Sequence, residues 1–502
     1  MALFPSSSLA YLPDWQTGAA IALLLTAVLT SFVASRLRWY YHLHEYDGPF
    51  MAKISPWWLV RTVASGRAYL DFWEVTQKYG SIARIGPNDL LTSEPDLMKH
   101  MYKARSDYTR SSWYEGMRFD PSRDNLLSLR NEDDHRELRS KMAAGYSGRE
   151  VDDLEETIDH NILEFSRLLG KYADKNKPVD FGRKAQYFTL DVISHVAFGE
   201  PFGFLETDSD VYKYIETTEK TLPMVMVTTV IPWLLKLLSS PLFKRFLPSA
   251  KDALGFGKVM SIAKEVAAER FGEDKKVQKD MLGSFVAHGL TQSETESEIL
   301  LQIVAGSDTT ATAIRSTMLH VVTTPRVLTR LREEIISSRI SRPVITNDEA
   351  QEMPYLQAVI KEGLRIFPPV AGLMAKEVPP EGDHWNGRFL PGGTRIGICA
   401  WGIFRREDIW GTDAKEFRPE RWLENSPEKV QTMEGILELI FSYGRWQCLG
   451  RPVALIELNK IFVQLLQEFD FSVCDPTKPW NVFNCGIFSQ TDFMVRVERR
   501  TV

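Results

Sequence analysis

Cysteine is scarce in this sequence, and its scarcity excludes several kinds of site. The 502 residues include four cysteines, and no two of them stand in C-x-x-C spacing. A disulfide framework and a cysteine-bound zinc or iron–sulfur centre are therefore not indicated, and reducing surroundings fit best. A dinucleotide fingerprint of the G-x-G-x-x-G type is also lacking, so a bound dinucleotide cofactor is not indicated.

Positive charge is not in excess, and no basic run alternates with aromatic residues. The formal net charge is −6, so nucleic acid is not an expected partner. Tyr46–Pro49 predicts a turn or short hinge. After it the chain has no Pro/Gly/Ser-rich linker, low-complexity tract or internal repeat. We therefore predict one folded domain at residues 45–502, preceded by an N-terminal segment at residues 1–44.

Only one long apolar run without charges is present. It spans Gly18–Ser35 and is just long enough to cross the roughly 30 Å core of a bilayer as a helix. Arg36 and Arg38 follow it and no Lys or Arg precedes it, so the positive-inside rule places the later residues in the cytosol. A cleaved signal peptide is the competing interpretation, but it would need a basic start and a shorter apolar run. The pattern predicts a single-pass anchor at about residues 18–35.

A second apolar stretch, Thr221–Phe243, is interrupted by three prolines. Proline removes backbone hydrogen bonds that a lipid-exposed span must keep, so a second membrane span is not expected. A helix pair that dips into the membrane or lines a cavity is one interpretation, and ordinary core helices are the other.

Helical periodicity dominates the chain, which predicts a mainly α fold with a smaller β-rich part. Helices are expected at Val151–Leu169 and Val259–Phe271, and short strands at Ser81–Pro87 and Leu90–Ser93. Ser111–Phe119 is expected to be an aromatic-rich loop.

The segment around Cys448 carries the strongest functional signal. Glycines at 444 and 450 allow tight turns, and a helix is predicted to follow at Val453–Phe469. The N–H groups and dipole of that helix favour a thiolate, although most free cysteines are simply small buried hydrophobes. With Phe441, Gly444, Cys448 and Gly450 in place, the segment resembles the haem-ligand loop of the cytochromes P450. This resemblance implies that Cys448 is the axial ligand of the iron in haem b.

One position departs from the family pattern. The family usually places an arginine two residues before the cysteine to pair with a haem propionate, and here that residue is Trp446. Either the Trp446 indole N–H replaces it or Arg445 reaches round. His135 stands where the family usually has tryptophan, four residues before Arg139, which is the implied propionate partner, with Lys376 as a further candidate.

Thr291–Thr323 is predicted to form one helix about 50 Å long. Ser293 and Glu296 have the spacing of a capping box, and Pro325 lies just beyond the end.

The middle of this helix contains polar residues where apolar ones are expected. Ala305, Gly306, Asp308 and Thr309 resemble the acid–alcohol motif of the cytochromes P450. That resemblance implies that Thr309 orients a proton donor during oxygen activation and that Asp308 supplies protons. A buried polar cluster satisfied within the helix is the plainer alternative. Enzymes of this family that do not use O2 commonly lack the pair, so its presence favours monooxygenation.

Two further segments match scaffold motifs of the family. Glu362 and Arg365 form an E-x-x-R pair, and Phe417–Trp422 follows downstream with Arg421. The resemblance implies a buried network of Glu362, Arg365 and Arg421 that supports folding and haem retention.

The resemblance covers almost all residues after the anchor and is to fungal microsomal members of the pisatin-demethylase type. It implies a haem-thiolate monooxygenase of the endoplasmic reticulum membrane, monomeric, facing the cytosol, and reduced by NADPH–cytochrome P450 reductase. A lipophilic substrate of terpenoid or polyketide type is expected, with O2 and membrane lipid as further partners. A haem-thiolate isomerase or dehydratase and a tethered haem- or lipid-binding protein are the alternatives. A basic docking face for the reductase is expected from Arg139, Lys141, Arg149, Lys376, Arg445 and Arg451.

Substrate contacts are expected from five segments, which are mostly apolar. They are Ser111–Phe119, the proline-broken stretch, Ile303–Ala305, Val370–Leu373 and Gly486–Ser489.

Overall fold

Helices make up most of the molecule, as the 3.6-residue periodicity of the sequence predicts. The computed structural model describes residues 14–120, 122–238, 240–243 and 248–500. The α-helices are α1 (Asp14–His42), α2 (Phe50–Ile54), α3 (Trp57–Ala64), α4 (Ala68–Tyr79), α5 (Pro95–Tyr102), α6 (Glu132–Tyr146), α7 (Leu154–Asp174), α8 (Phe181–Phe198), α9 (Phe204–Thr207), α10 (Tyr214–Val230), α11 (Pro232–Leu238), α12 (Gly255–Ala268), α13 (Met281–Ala287), α14 (Gln292–Thr323), α15 (Pro325–Ser337), α16 (Asn347–Gln351), α17 (Pro354–Ile366), α18 (Ala400–Ile403), α19 (Glu407–Trp410), α20 (Arg421–Glu424), α21 (Pro427–Leu437) and α22 (Arg451–Glu468).

The β part is small and is divided among four sheets of the described residues. The strands are β1 (Ile82–Gly86), β2 (Asp89–Thr92), β3 (Thr109–Arg110), β4 (Val179–Asp180), β5 (Lys376–Glu377), β6 (Asp383–Trp385), β7 (Arg388–Leu390), β8 (Arg395–Ile398), β9 (Phe469–Val473), β10 (Asn481–Asn484), β11 (Phe488–Thr491) and β12 (Met494–Arg499). The largest sheet has the order β1-β2-β8-β5-β3, and β4-β12-β9 form another. The predicted class, mainly α with a smaller β-rich part, is confirmed.

The elements predicted individually occur with shifted boundaries. β1 and β2 pair antiparallel, with Ile82 opposite Thr92, and α7 and α12 overlap the expected helices. The predicted aromatic loop instead contains a 3₁₀ helix at Ser112–Met117, whose first turn is capped by the Ser111 hydroxyl.

The proline-broken stretch forms the helix pair α10 and α11. Pro223 lies inside α10, so only Pro232 marks a helix boundary. No residue of α11 is buried, and Trp233 is 65% exposed. Ordinary core packing therefore does not describe α11.

The N-cap of the long α14 lies two residues before the predicted one. Thr291, not Ser293, is the N-cap: its hydroxyl accepts a hydrogen bond from the Glu294 N–H, and the Glu294 carboxylate accepts one from the Thr291 N–H. Glu296 instead lies 3.4 Å from Arg123. The capping box is therefore formed by the preceding Thr–Glu pair.

Helix α1 has the length and composition of a membrane span. Its segment Thr17–His42 has a mean hydropathy of 2.0 in its most apolar window, and none of that window is buried. The first 13 residues of the predicted N-terminal segment lie outside the described residues. The predicted turn or short hinge at Tyr46–Pro49 lies between α1 and α2, outside both helices, and Leu43 and Tyr46 are each only 1% exposed and pack into the core.

A buried charge network ties α17 to the chain that leads to α22. The Glu362 carboxylate accepts hydrogen bonds from Arg365 at 2.8 and 2.9 Å, from Arg421 at 2.9 Å and from the Trp422 indole at 3.0 Å. All three charged side chains are at most 1% exposed. Because the cations surround it, the pKa of Glu362 is lowered despite its burial. The predicted grouping of Glu362, Arg365 and Arg421 is observed.

We expect Glu362→Ala to lower the free energy of unfolding by about 3–5 kcal/mol, because it leaves two buried guanidinium groups without their carboxylate. Urea unfolding followed by circular dichroism measures the change. Glu424→Ala is the control, since its exposed carboxylate lies 3.5 Å from Arg418 and contributes about 0–1 kcal/mol. A loss no larger than that of the control would contradict the structural role.

Candidate active site

A large cavity lies between the middle of α14 and the loop that enters α22. Its volume is about 340 Å³, within the range of small-molecule sites. The candidate residues that line it are Ala305, Thr309, His135, Arg139, Phe441, Trp446, Cys448 and Gly450.

Cys448 opens into this cavity three residues before α22 begins. Its backbone N–H donates to the Phe441 carbonyl at 2.7 Å, which fixes the loop. The sulfur is free and reachable from the cavity although protein surrounds it. Burial raises the pKa of the Cys448 thiol, while the N–H groups of Gly450 and Arg451 and the charge of Arg139 oppose the rise. These donors are the ones a bound thiolate would use.

The cavity wall on α14 is formed by Ala305 and Thr309, which stand one turn apart. The Thr309 hydroxyl donates to the Ala305 carbonyl at 2.8 Å, and α14 remains helical through this point. Gly306 permits close packing on α8, because a Cβ there would lie 2.8 Å from the side chain of Ile193.

Asp308 does not line the large cavity. It is buried, accepts a hydrogen bond from the Gln186 side-chain amide at 2.5 Å, and lines a separate cavity of about 20 Å³. Burial raises the pKa of Asp308 to about 6, and the nearby Arg315 opposes the rise. The two halves of the predicted acid–alcohol pair therefore face different cavities. No sequence motif singled out Gln186 or Arg315.

A cluster of buried cations surrounds Trp446. The Lys376 ammonium lies 4.0 Å and the Arg110 guanidinium 4.1 Å from the centre of its ring, and the His135 ring lies 4.1 Å away. Burial and the neighbouring cations lower the pKa of His135 to about 2, so its ring is neutral. Arg110 is absent from every motif of the sequence and was not predicted.

This cluster provides a test of whether the predicted cofactor fits. Lys376 is fully buried, and its ammonium has no hydrogen-bond partner among the described residues; the same holds for Nδ1 of His135. A buried ammonium without a partner is costly, so an anionic group is expected there. Haem propionates supply such charge, and Cys448 lines the cavity beside this cluster. The residues present therefore fit haem.

The alternative propionate partner Arg445 is engaged elsewhere. Its Nε lies 3.0 Å from a carboxylate oxygen of Glu132, and it is Trp446 that lines the cavity. Gly444 also lies outside the cavity. At φ of 61° it packs on α5, where a Cβ would come within 2.4 Å of the Tyr102 carbonyl oxygen.

One base of the expected docking face does not reach the surface: Lys376 is fully buried. Arg139 is half-buried and lines the cavity. Arg445 is paired with Glu132, and Arg451 lies 2.6 Å from Glu438. The docking face stays a prediction, without Lys376, because motif positions do not show which cations turn inward.

The remaining cavity wall is largely apolar and comes from the predicted segments. It includes Trp113, Met117, Phe119, Met226, Val304, Val370, Gly372, Gly486 and Ile487. The Tyr114 hydroxyl donates to the Met374 carbonyl at 3.1 Å, so this polar group of the wall is already satisfied.

Comparison with known proteins identifies the family. The model of the cytochrome P450 family matches residues 53–494. Cytochrome P450 monooxygenase ABA1 of Pyricularia oryzae is 42% identical over 504 residues, covering 97% of this chain and 98% of that protein. Cytochrome P450 monooxygenase aba1 of Botryotinia fuckeliana is 40% identical over 459 residues, covering 89% and 90%. Pisatin demethylase of Fusarium vanettenii is 29% identical over 499 residues, covering 95% and 96%.

We expect Cys448→Ala to abolish the thiolate-type ferrous–carbon monoxide band, because no other cysteine lines the cavity among the described residues. Absorption spectra of the reduced, carbon monoxide-treated protein make the test. Cys474→Ala is the matched control, since Cys474 is exposed and outside the cavity. A Soret band unchanged in Cys448→Ala would refute the ligand assignment.

Proposed function

We propose that this chain, which belongs to the cytochrome P450 family, is a membrane-anchored monooxygenase that oxidises a lipophilic small molecule of fungal secondary metabolism. The observation that carries the proposal is the Cys448 sulfur at the entrance of α22, open to a cavity that also contains Thr309. The reaction takes a substrate, O2, two electrons and two protons to an oxygenated product and water.

The cofactor is haem b, and the residues proposed to hold it surround the cavity. Cys448 would bind the iron, while Arg139, Lys376, His135 and Trp446 would surround the propionates. When bound, the haem supplies the activation of O2 and the transfer of one oxygen atom. The roles of the protein are to bind and orient the substrate, exclude water and deliver protons.

Proton delivery is assigned to the two polar residues of α14. The Thr309 hydroxyl, anchored on the Ala305 carbonyl, presents a donor and acceptor at the cavity wall. Asp308, whose pKa is raised to about 6 by burial, is able to gain and lose a proton near neutral pH. Phe441, Gly444 and Gly450 shape the cysteine loop, and Glu362, Arg365 and Arg421 support it.

The substrate class follows from the cavity wall. Aromatic, aliphatic and thioether side chains dominate it, so binding energy comes from burying apolar surface and not from ionic contacts. A terpenoid or polyketide fits these walls. The similarity to pisatin demethylase and to the ABA1 proteins of other fungi supports a place in secondary metabolism.

Location and electron supply complete the proposal. Helix α1 would span the endoplasmic reticulum membrane once, with Arg36 and Arg38 and the catalytic domain on the cytosolic side. NADPH–cytochrome P450 reductase in the same membrane would supply electrons one at a time. The enzyme would act as a monomer and draw its substrate from membrane lipid.

The purified protein, reconstituted with this reductase and NADPH, tests the proposal on a panel of terpenoids and polyketides. Oxygenated product that requires both NADPH and O2 is the expected result. Product formed without reductase or O2 would identify an isomerase or dehydratase. Spectral binding without any product would identify a binding protein.

We expect Thr309→Ala to uncouple NADPH oxidation from product formation, lowering product per NADPH roughly tenfold, because the hydroxyl that orients the proton donor is lost. Product and NADPH are measured in the same reaction. Thr323→Ala is the control, because its hydroxyl makes the same type of bond, to the Leu319 carbonyl at 2.7 Å, near the end of α14. Full coupling in Thr309→Ala would remove this residue from proton delivery.

A further inference from the structure

The small cavity beside Asp308 has the size and lining of a water site. Its 20 Å³ exceeds the roughly 10–15 Å³ needed for one water molecule. Gln186, Thr218, Glu219 and Ser489 contribute polar groups to its wall. The Thr218 hydroxyl is buried there and has no hydrogen-bond partner among the described residues. A water molecule would satisfy that hydroxyl while contacting Asp308.

Glu219 connects this water site to solvent. Its carboxylate lies in α10, is 28% exposed, and is held by Arg183 at 3.2 and 3.3 Å. The Ser489 hydroxyl donates to the same carboxylate at 2.9 Å. One part of Glu219 therefore faces solvent while another lines the cavity that Asp308 shares.

Asp308 needs a route of this kind because its other surroundings cannot supply protons. The Gln186 amide that donates to it is neutral and is itself held by Arg315 at 3.0 Å. The large cavity beside Thr309 is mostly apolar and would exclude water when substrate is bound. Each proton that Asp308 gives up must therefore be replaced through the small cavity.

We propose that Glu219 is the proton inlet of this enzyme: it passes protons from solvent, through one water in the small cavity, to Asp308. The inference rests on the proposed function and adds a residue to it. In each passage a Glu219 oxygen takes a proton from solvent, the water takes that proton and releases another to Asp308, and Glu219 returns to its carboxylate. No other species is consumed.

Glu219→Gln tests the inlet, because the amide keeps the size of the side chain and one acceptor oxygen for Arg183 and Ser489 but cannot carry a proton. Glu216→Gln is the matched control: it is exposed, lies three residues earlier on α10 and pairs with Lys220 at 2.5 Å. The measurements are product per NADPH and the solvent deuterium isotope effect, with a substrate that the wild type oxidises. Turnover driven by hydrogen peroxide, which brings its own protons, is measured in parallel.

In Glu219→Gln we expect product per NADPH to fall roughly tenfold, less than the 100-fold or more typical of losing a general acid itself. The isotope effect should rise, and peroxide-driven turnover should match that of Glu216→Gln. The inlet is overturned if Glu219→Gln forms as much product per NADPH as Glu216→Gln. It is also overturned if peroxide-driven turnover in Glu219→Gln falls by the same factor as NADPH-driven turnover. A wild type that forms no product by either route contradicts the proposed function instead.

An independent observation concerns how the anchor joins the body. The guanidinium of Arg84, a fully buried residue of β1, donates to backbone carbonyls of Trp39, of Tyr40 at 3.0 Å and of Lys53 at 3.2 Å, and to the turn after β1. These carbonyls belong to the last turns of α1 and α2.

Arg84 thus connects β1 to the ends of α1 and α2, and we call this set of contacts the joint. Burial lowers the pKa of Arg84 only to about 10, so the group stays charged at neutral pH. Its positive charge is attracted to the negative C-terminal ends of the dipoles of α1 and α2. A second contact comes from Arg36, which donates to the Ile54 carbonyl at 2.7 Å. Removing the Arg84 guanidinium would leave several buried carbonyls without donors.

Next to the joint lies an apolar patch formed by Phe50, Met51 and Trp57, each 45–68% exposed. It lies beside α1, because α2 contacts both α1 and α3. We infer that Arg84 fixes the angle between anchor and body so that this patch rests on the lipid surface.

The test uses the full-length, haem-loaded protein in oriented bilayers, where linear dichroism of the Soret band reports the tilt of the body. We expect a strong signal from the wild type and its loss in Arg84→Gln, with Arg61→Gln, an exposed residue of α3, as the control. Arg84→Lys, which keeps the charge but loses the forked donors, should lose signal while still binding haem. An unchanged signal in both Arg84 variants, or none in the wild type, overturns the inference.

Discussion

The gap between α14 and the cysteine loop depends on a single buried carboxylate. Glu362 binds the guanidinium groups of Arg365 and Arg421, and these in turn donate to carbonyls of Phe404, Ala414 and Trp410. On its other side α17 presses against α14, where a Cβ on Gly363 would lie 1.9 Å from the Thr317 hydroxyl. Because α17 makes both contacts, the distance between α14 and the chain leading to Cys448 is set by one helix and not by loops.

Trp446 stands where the family pattern has arginine, and its neighbours give this departure a physical reason. An arginine there would carry its own charge to a propionate. Here the indole carries none, but Lys376 and Arg110 lie over its ring, where the negative face of the π-system attracts cations. The neutral His135 ring packs on the same indole. The positive charge is thus supplied by neighbouring strands instead of the cysteine loop.

Local motifs predicted the site best where all the necessary residues are close in sequence. The loop from Phe441 to Gly450 and the E-x-x-R pair could be recognised for that reason. Arg110, Glu132, Gln186 and Glu219 could not, because each belongs to a different element and only the tertiary fold brings it to the site. The capping box shows a similar limit. Thr291–Glu294 and Ser293–Glu296 both have the required spacing, and the choice depends on Thr291 being extended, with φ of −75° and ψ of 158°.

In the proposed mechanism, the two faces of α14 separate the chemistry of oxygen from the supply of protons. Consecutive residues on an α-helix point about 100° apart, and here Asp308 lines the small cavity while Thr309 lines the large one. Thr309 lies on the apolar side with the cysteine, and Asp308 lies on the polar side with Gln186 and the small cavity. In the proposed relay, a proton passes from Asp308 on one side of the helix to Thr309 on the other. This arrangement would keep the substrate cavity dry while leaving the acid within reach of water, which gives a physical reason for an acid and an alcohol side by side.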